Sequence, residues 1–114
     1  DNYDGKNGME ILIENTDPEF VSFELDTYYV KWAGLDPVEF YRQYGERCSH
    51  LHFKDMTVDN KNTEVGEGII DFGSLLKEAD KYDIEWIIIE QEEFTIKPIE
   101  SVIISLNNIK NMIG

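Results

Sequence analysis

Residues 84–90 read Ile-Glu-Trp-Ile-Ile-Ile-Glu and are the most apolar strand-like run in the chain. Their alternation of apolar and polar side chains is too weak for a strand with one exposed face. The run therefore predicts a central, buried, parallel strand over residues 84–89. Two further strand-like runs precede it along the chain, at residues 21–25 and residues 48–53.

Segments with helical patterns lie between and around these strands. The clearest begins at Asp36-Pro37-Val38-Glu39, which supplies an N-cap aspartate, a proline at the first helical position and a glutamate three residues after the cap. Residues 28–34 fit either the start of a helix or a structured loop, and the polar residues 54–68 predict a long loop. Helices are predicted at residues 8–15, 37–44, 72–81 and 98–114. The order αβαβαβα favours an α/β fold in which parallel strands alternate with helices.

Each strand-like run leads into a side chain that can bind a metal ion, namely Asp26, His52 and Glu90. The carboxyl ends of parallel strands open on one face, so the three side chains are predicted to converge. Two carboxylates and one imidazole suit Mn²⁺, Mg²⁺, Co²⁺ or Zn²⁺ in a site with open positions for water and substrate. Each residue also has a simpler interpretation. The carboxylates could cap helices or pair with a cation, and the histidine could be a hydrogen-bonded core residue.

The charge balance limits the classes of partner. The chain has 24 acidic and 10 basic residues, and its formal net charge of −14 repels nucleic-acid phosphates and anionic lipid. No apolar stretch approaches the roughly 18 residues that span a bilayer. The single cysteine, Cys48, excludes an intramolecular disulfide and favours a reducing compartment. These features predict a cytoplasmic protein that binds neither nucleic acid nor membranes.

Four linked motifs resemble those of one enzyme family. From about Gly8 onwards, in order and with natural spacing, the sequence is similar to the sugar phosphate isomerase/epimerase family, the xylose isomerase-like TIM barrels. The motifs are Phe-Glu-Leu-Asp-Thr-Tyr-Tyr-Val at residues 23–30, His-Leu-His-Phe-Lys-Asp at residues 50–55, Glu-Val-Gly-Glu-Gly-Ile-Ile-Asp-Phe at residues 64–72 and Trp-Ile-Ile-Ile-Glu-Gln-Glu at residues 86–92. The resemblance implies that residues 1–114 form one partial domain, the C-terminal portion of a (β/α)₈ barrel with about three β/α units.

The resemblance also implies a metal-dependent reaction on a small sugar or sugar phosphate. Asp26, His52 and Glu90 match three of the family's four metal ligands, whereas the fourth, a glutamate from an earlier strand, has no counterpart in this chain. In such epimerases a divalent cation holds adjacent oxygens of a ketose while carboxylates beside it move a proton at the neighbouring carbon. Glu90 is the implied acid/base residue. The parent protein is expected to be an isomerase or epimerase, and these 114 residues alone are expected to be inactive.

Two further residues are candidate substrate contacts. Tyr29 lies where related epimerases place a substrate-contacting histidine and could stack on a sugar, although a packed tyrosine explains it equally well. Lys54 follows His52 by two positions and could meet a substrate oxygen or phosphate from the same strand face. The alternative is a surface lysine paired with Asp55.

Two other functions stay open. The same fold and cation support a lyase or dehydratase that acts on a polyol or keto acid. Alternatively, the chain is a non-catalytic fragment or an assembly domain, because three strands of a barrel leave two open edges. Self-association, or pairing with a missing N-terminal half, is then expected.

Overall fold

A computed structural model describes residues 2–114 and shows strands and helices in alternation. A small antiparallel pair comes first, and three parallel strands follow, each of which leads into a helix directly or after a loop. The elements are β1 (Asn2–Tyr3), β2 (Lys6–Asn7), α1 (Gly8–Glu14), β3 (Phe23–Asp26), α2 (Thr27–Trp32), α3 (Pro37–Tyr44), a 3₁₀ turn (Gly45–Arg47), β4 (Cys48–Phe53), β5 (Asp55–Met56), β6 (Asn62–Thr63), α4 (Phe72–Ala79), β7 (Trp86–Ile89) and α5 (Pro98–Ile113).

Local capping signals place the helices close to their predicted positions. The Asp36 carboxylate accepts a hydrogen bond from the backbone N–H of Val38, and Pro37 occupies the first turn, so α3 begins where the sequence indicates. Asp71 caps α4 through the N–H of Ser74, and the helix ends at Ala79, two residues earlier than predicted. Across residues 2–114, no helix combines the length and the apolar character that crossing a bilayer requires.

The three longer strands form a parallel sheet in the order β3-β4-β7. Asp26 pairs with His52 across the first strand pair, and His52 pairs with Ile88 across the second. Side chains of paired residues in a parallel ladder point to the same face, and successive residues alternate between faces. The register therefore separates one face that carries Leu25, Leu51 and Ile87 from another that carries the candidate ligands. The predicted α/β alternation is confirmed.

The helices cover the first of these faces and form the core with it. Leu51 and Phe53 of β4 are fully buried, as are Tyr41 of α3 and Leu75 of α4. The rings of Phe53 and Phe72 lie 4.7 Å apart between sheet and helix. Burying such a side chain contributes roughly 1.5–3 kcal/mol, so this single layer of contacts anchors the strands that carry the ligands.

The prediction that residues 84–89 form a central, buried strand is wrong. β7 begins at Trp86 and is an edge of the three-stranded sheet, while β4 lies at the centre. Trp86 is 63% exposed, and Ile88 on the same face is also exposed. The apolar composition of a strand does not determine how many other strands pair with it. Within residues 2–114 β7 pairs only with β4, and the helices cover only one of its faces.

A buried aspartate organises the long loop that follows β4. Asp55 is fully buried, and its carboxylate accepts hydrogen bonds from the backbone N–H groups of Met56, Gly66, Gly68 and Ile70 at 2.8–3.2 Å. These bonds close the loop around the short antiparallel pair of β5 and β6. A carboxylate that meets four backbone donors is satisfied by the loop itself. The alternative interpretation, in which Asp55 pairs with Lys54 on the surface, is wrong.

We predict that the open sheet makes the chain associate. The outer edges of β3 and β7 are unpaired within residues 2–114, and unpaired edges template pairing with another chain. Light scattering over a range of concentrations should show species larger than a monomer. Ile88→Glu, which places a charge on the exposed face of β7, should shift the population towards monomer. Val58→Glu, a change of equal charge on a loop, should not. A wild-type chain that stays monomeric at every concentration would contradict this prediction.

Candidate metal centre

The parallel register brings the three candidate ligands to one edge of the sheet. Asp26 is the last residue of β3 and pairs with His52 in β4. Glu90 follows β7, and its backbone N–H donates to the carbonyl of Phe53 at 3.0 Å, which continues the ladder one step beyond the strand. All three side chains therefore leave the same face at the carboxyl end of the sheet, where such folds place their sites.

The ligand atoms of these residues lie close enough to share one cation. One atom from each of Asp26, His52 and Glu90 falls within 4.8 Å of the others. Nδ1 of His52 lies 2.6 Å from Oε2 of Glu90 and 4.0 Å from Oδ2 of Asp26. All three residues are half-buried, which leaves room for further ligands on the open side. The three residues thus form a possible metal site.

The two carboxylate oxygens of Asp26 have different contacts. Its Oδ1 accepts a hydrogen bond from the backbone N–H of Tyr29 and caps α2, while Oδ2 faces His52. The capping role considered for this residue is therefore present and is compatible with a ligand role. Burial raises the pKa of Asp26, although the Tyr29 N–H and the Lys54 ammonium oppose the shift. A partly desolvated carboxylate gains more from a nearby cation than an exposed one does.

Lys54 lies buried under the site and not on the surface. Its side chain is 1% exposed, and Nζ lies 2.9 Å from Oε1 of Glu92 and 3.6 Å from Oε1 of Glu90. The ammonium also lies over the rings of Tyr28 and Tyr29, at 5.1 and 4.7 Å from their centroids. Burial lowers the pKa of Lys54, but the two carboxylates outweigh this effect and raise it. Lys54 therefore stays charged between the carboxylates of Glu92 and Glu90.

Tyr29 is half exposed beside the three candidate ligands. It lines a cleft of about 160 Å³ that opens next to Lys54. Its ring meets that of Tyr28 edge-on, at 5.4 Å between centroids. The cleft is lined by Tyr28, Tyr29, Trp32, Lys54, Asn62, Glu92 and Glu93.

Sequence reasoning missed two members of this arrangement. The sequence assigns Glu92 no role in the site, yet it pairs with the buried Lys54. Tyr28 was given no role, yet its hydroxyl donates to the carbonyl of Asn60 at 2.9 Å and its ring faces the Lys54 ammonium. Glu92 lies two residues after Glu90, and this spacing is the sequence signal for its place in the site. Nothing in the local sequence pattern indicates the contacts of Tyr28.

Comparison with known proteins identifies the fold. A family model described as "Xylose isomerase-like TIM barrel" matches residues 3–112. The chain belongs to this family. The family and the partial α/β barrel predicted from the four motifs are thereby confirmed.

Relatives of this TIM-barrel chain include enzymes of two kinds. Inosose dehydratases from Lacticaseibacillus casei and Geobacillus kaustophilus (strain HTA426) are 29% and 31% identical over 104 residues, and each match takes in 75% of this chain. A sugar phosphate isomerase/epimerase from Parabacteroides distasonis ATCC 8503 is 30% identical and superposes over 90% of this chain with a TM-score of 0.78. The chain spans about a third of each relative, with shares of 35%, 34% and 35%.

Proposed function

We propose that this chain carries part of the active site of a divalent-metal-dependent sugar or sugar phosphate isomerase/epimerase. The observation that carries the proposal is the convergence of Asp26, His52 and Glu90 at the carboxyl end of three parallel strands. The structural relative described as a sugar phosphate isomerase/epimerase supports the reaction class. The substrate class is a small sugar, and the reaction is proton transfer at a carbon next to a carbonyl.

The donor set fits a divalent cation such as Mn²⁺, Mg²⁺, Co²⁺ or Zn²⁺. Two carboxylate oxygens and one imidazole nitrogen face each other from separate strands, on the face that the helices leave uncovered. A cation held there would stabilise the negative charge that develops on a substrate oxygen when the neighbouring carbon loses its proton. Three protein ligands leave coordination positions for a further ligand and for substrate.

Glu90 is the residue that we assign to proton transfer. Its Oε2 faces His52, and its Oε1 faces the Lys54 ammonium, so both oxygens have fixed positions. A carboxylate that also binds a cation is a weakened base, and an efficient acid/base pair needs a second group. We propose Glu90 as one member of such a pair.

Tyr29 and Lys54 are the residues that we assign to substrate binding. The exposed ring of Tyr29 offers an apolar face for the C–H groups of a sugar. Lys54 offers a positive charge at the base of the adjoining cleft for a substrate oxygen or a phosphate.

A dehydratase reaction is the second candidate. The observation that favours it is the set of sequence relatives described as inosose dehydratases. Proton abstraction next to a carbonyl is common to both reactions, and they differ in whether water then leaves. The third possibility, a non-catalytic assembly domain, rests on the unpaired strand edges.

Deuterium exchange distinguishes the three possibilities. The complete product of the reading frame that encodes these residues is incubated with Mn²⁺ and ketoses or inososes in D₂O. We expect deuterium at the carbon next to the carbonyl, and Glu90→Gln should slow its incorporation by roughly 100-fold or more because the base is lost. Glu100→Gln, an exposed change of equal charge on α5, should have no effect.

The products decide between the reactions. Epimer or isomer formation supports the first candidate, and a product that has lost one water supports the dehydratase. If no substrate exchanges its proton and Mn²⁺ has no effect, the chain belongs to a non-catalytic protein.

A further inference from the structure

We propose that Glu24 is a positioning residue that holds the His52 ring with Nδ1 towards the cation. This inference rests on the proposed metal centre and assigns a role to a residue outside the three ligands. Glu24 lies two positions before Asp26 on β3, so its side chain leaves the same open face of the sheet. It pairs in register with His50, one step along the face from His52.

The two ring nitrogens of His52 face different carboxylates. Nε2 lies 3.1 Å from Oε1 of Glu24. Nδ1 lies 2.6 Å from Oε2 of Glu90 and 4.0 Å from Oδ2 of Asp26. Nδ1 therefore points towards the other candidate ligands, and Nε2 points away from them towards Glu24.

The chemistry of a neutral imidazole explains why this arrangement matters. The ring has one N–H and one lone pair, and only the nitrogen with the lone pair can bind a cation. A carboxylate only accepts hydrogen bonds, so without a cation Glu90, at 2.6 Å, favours the proton on Nδ1. A cation held by Asp26 and Glu90 would take the Nδ1 lone pair and leave the ring proton on Nε2, which faces Glu24. Histidines that bind metals nearly always direct their second nitrogen to a carboxylate, carbonyl or water in this way.

Glu24 differs from the ligands in position and exposure. Its oxygens are not among the atoms that lie within 4.8 Å of one another at the candidate site. Its side chain is 50% exposed, so removing it leaves no buried cavity and should disturb the fold little. An exposed ion pair with no role in the site would contribute little to stability and nothing to metal binding. Metal affinity therefore separates the two interpretations.

The test compares three variants of this chain. Glu24→Ala should weaken Mn²⁺ binding, measured by calorimetry or electron paramagnetic resonance, by roughly 10-fold. Glu24→Gln should lose less, because its amide oxygen keeps an acceptor of the same size facing Nε2. Glu85→Gln, which removes an equal charge from an exposed position before β7, should bind Mn²⁺ as the wild type does.

A second measurement follows the ring itself. Two-bond ¹H–¹⁵N spectra of His52 in the Zn²⁺-loaded wild type should show the proton on Nε2. Without metal, Glu24→Ala should shift the Nε2 resonance while Glu85→Gln leaves it in place. If Glu24→Ala changes neither the Mn²⁺ affinity nor the His52 spectrum, Glu24 has no positioning role and the metal centre stands without it. If the wild type binds neither Mn²⁺ nor Zn²⁺, the metal centre fails and this role fails with it.

Discussion

Replacing His52 with alanine is expected to weaken Mn²⁺ binding by more than roughly 100-fold, because losing a direct ligand should cost more than losing a partner of that ligand. Nδ1 of His52 is the only nitrogen in the candidate site and lies nearest to Glu90, at 2.6 Å. Without it, two carboxylates remain, and two acidic groups alone hold a transition-metal ion weakly. Calorimetric titration with Mn²⁺ measures the loss directly.

The chain offers a matched control two residues away. His50→Ala removes the other histidine from the same strand and the same face of the sheet. Nδ1 of His50 contacts the Ser49 hydroxyl at 2.8 Å, and His50 is not part of the candidate site. Its loss should leave the Mn²⁺ affinity unchanged. Equal affinities for wild type, His52→Ala and His50→Ala would show that the three converging side chains are not a metal centre.

Replacing Gly68 with alanine is expected to lower the free energy of unfolding by about 3 kcal/mol, since it overpacks the loop and disturbs buried hydrogen bonds. A Cβ atom at this position would lie 2.3 Å from the carbonyl oxygen of Met56 and 2.4 Å from Oδ1 of Asp55. Both atoms are buried acceptors, and the Met56 carbonyl already accepts from the N–H of Ile69 at 2.8 Å. The loop must move away from Asp55 to make room.

Urea denaturation followed by circular dichroism measures this effect. Gly8→Ala is the control, because the same added methyl group at the start of α1 meets nothing within 4 Å. Alanine in a helix is favoured over glycine by up to about 1 kcal/mol, so this variant should be as stable as the wild type or slightly more so. A midpoint for Gly68→Ala that equals that of the wild type would mean that the Asp55 loop is looser than the structure shows.

Much of the candidate site could be predicted from the sequence because its determinants are local. Asp26, His52 and Glu90 each lie at the end of a strand-like run, and parallel strands bring their carboxyl ends together without any detail of packing. The helix that begins at Pro37 is similarly set by adjacent residues, the cap at Asp36 and the proline itself. These local features have the same effect in any fold in which the strands are parallel.

The rest depended on contacts between distant parts of the chain. β7 was predicted to be central because it is apolar, but strand order depends on which neighbours pair with it, and β4 took the central place. The alternative interpretation of Lys54, a surface lysine paired with Asp55, is wrong because the rings of Tyr28 and Tyr29 cover it and Glu92 neutralises it. A side chain is buried by the residues that surround it. The residues that surround Lys54 lie 25 or more positions away from it in the sequence.

The class of fold and the three candidate ligands could be predicted because periodicity, capping residues and strand ends are short-range properties of the chain. The contacts that support those ligands are instead long-range and become visible in the folded chain. Residues that are distant in the sequence are joined by the contact of Glu24 with Nε2 of His52, by the ion pairs of Lys54, and by the hydrogen bonds from Gly66, Gly68 and Ile70 to Asp55. Their positions follow from strand register and loop closure, which are set by the free energy of the whole packed domain.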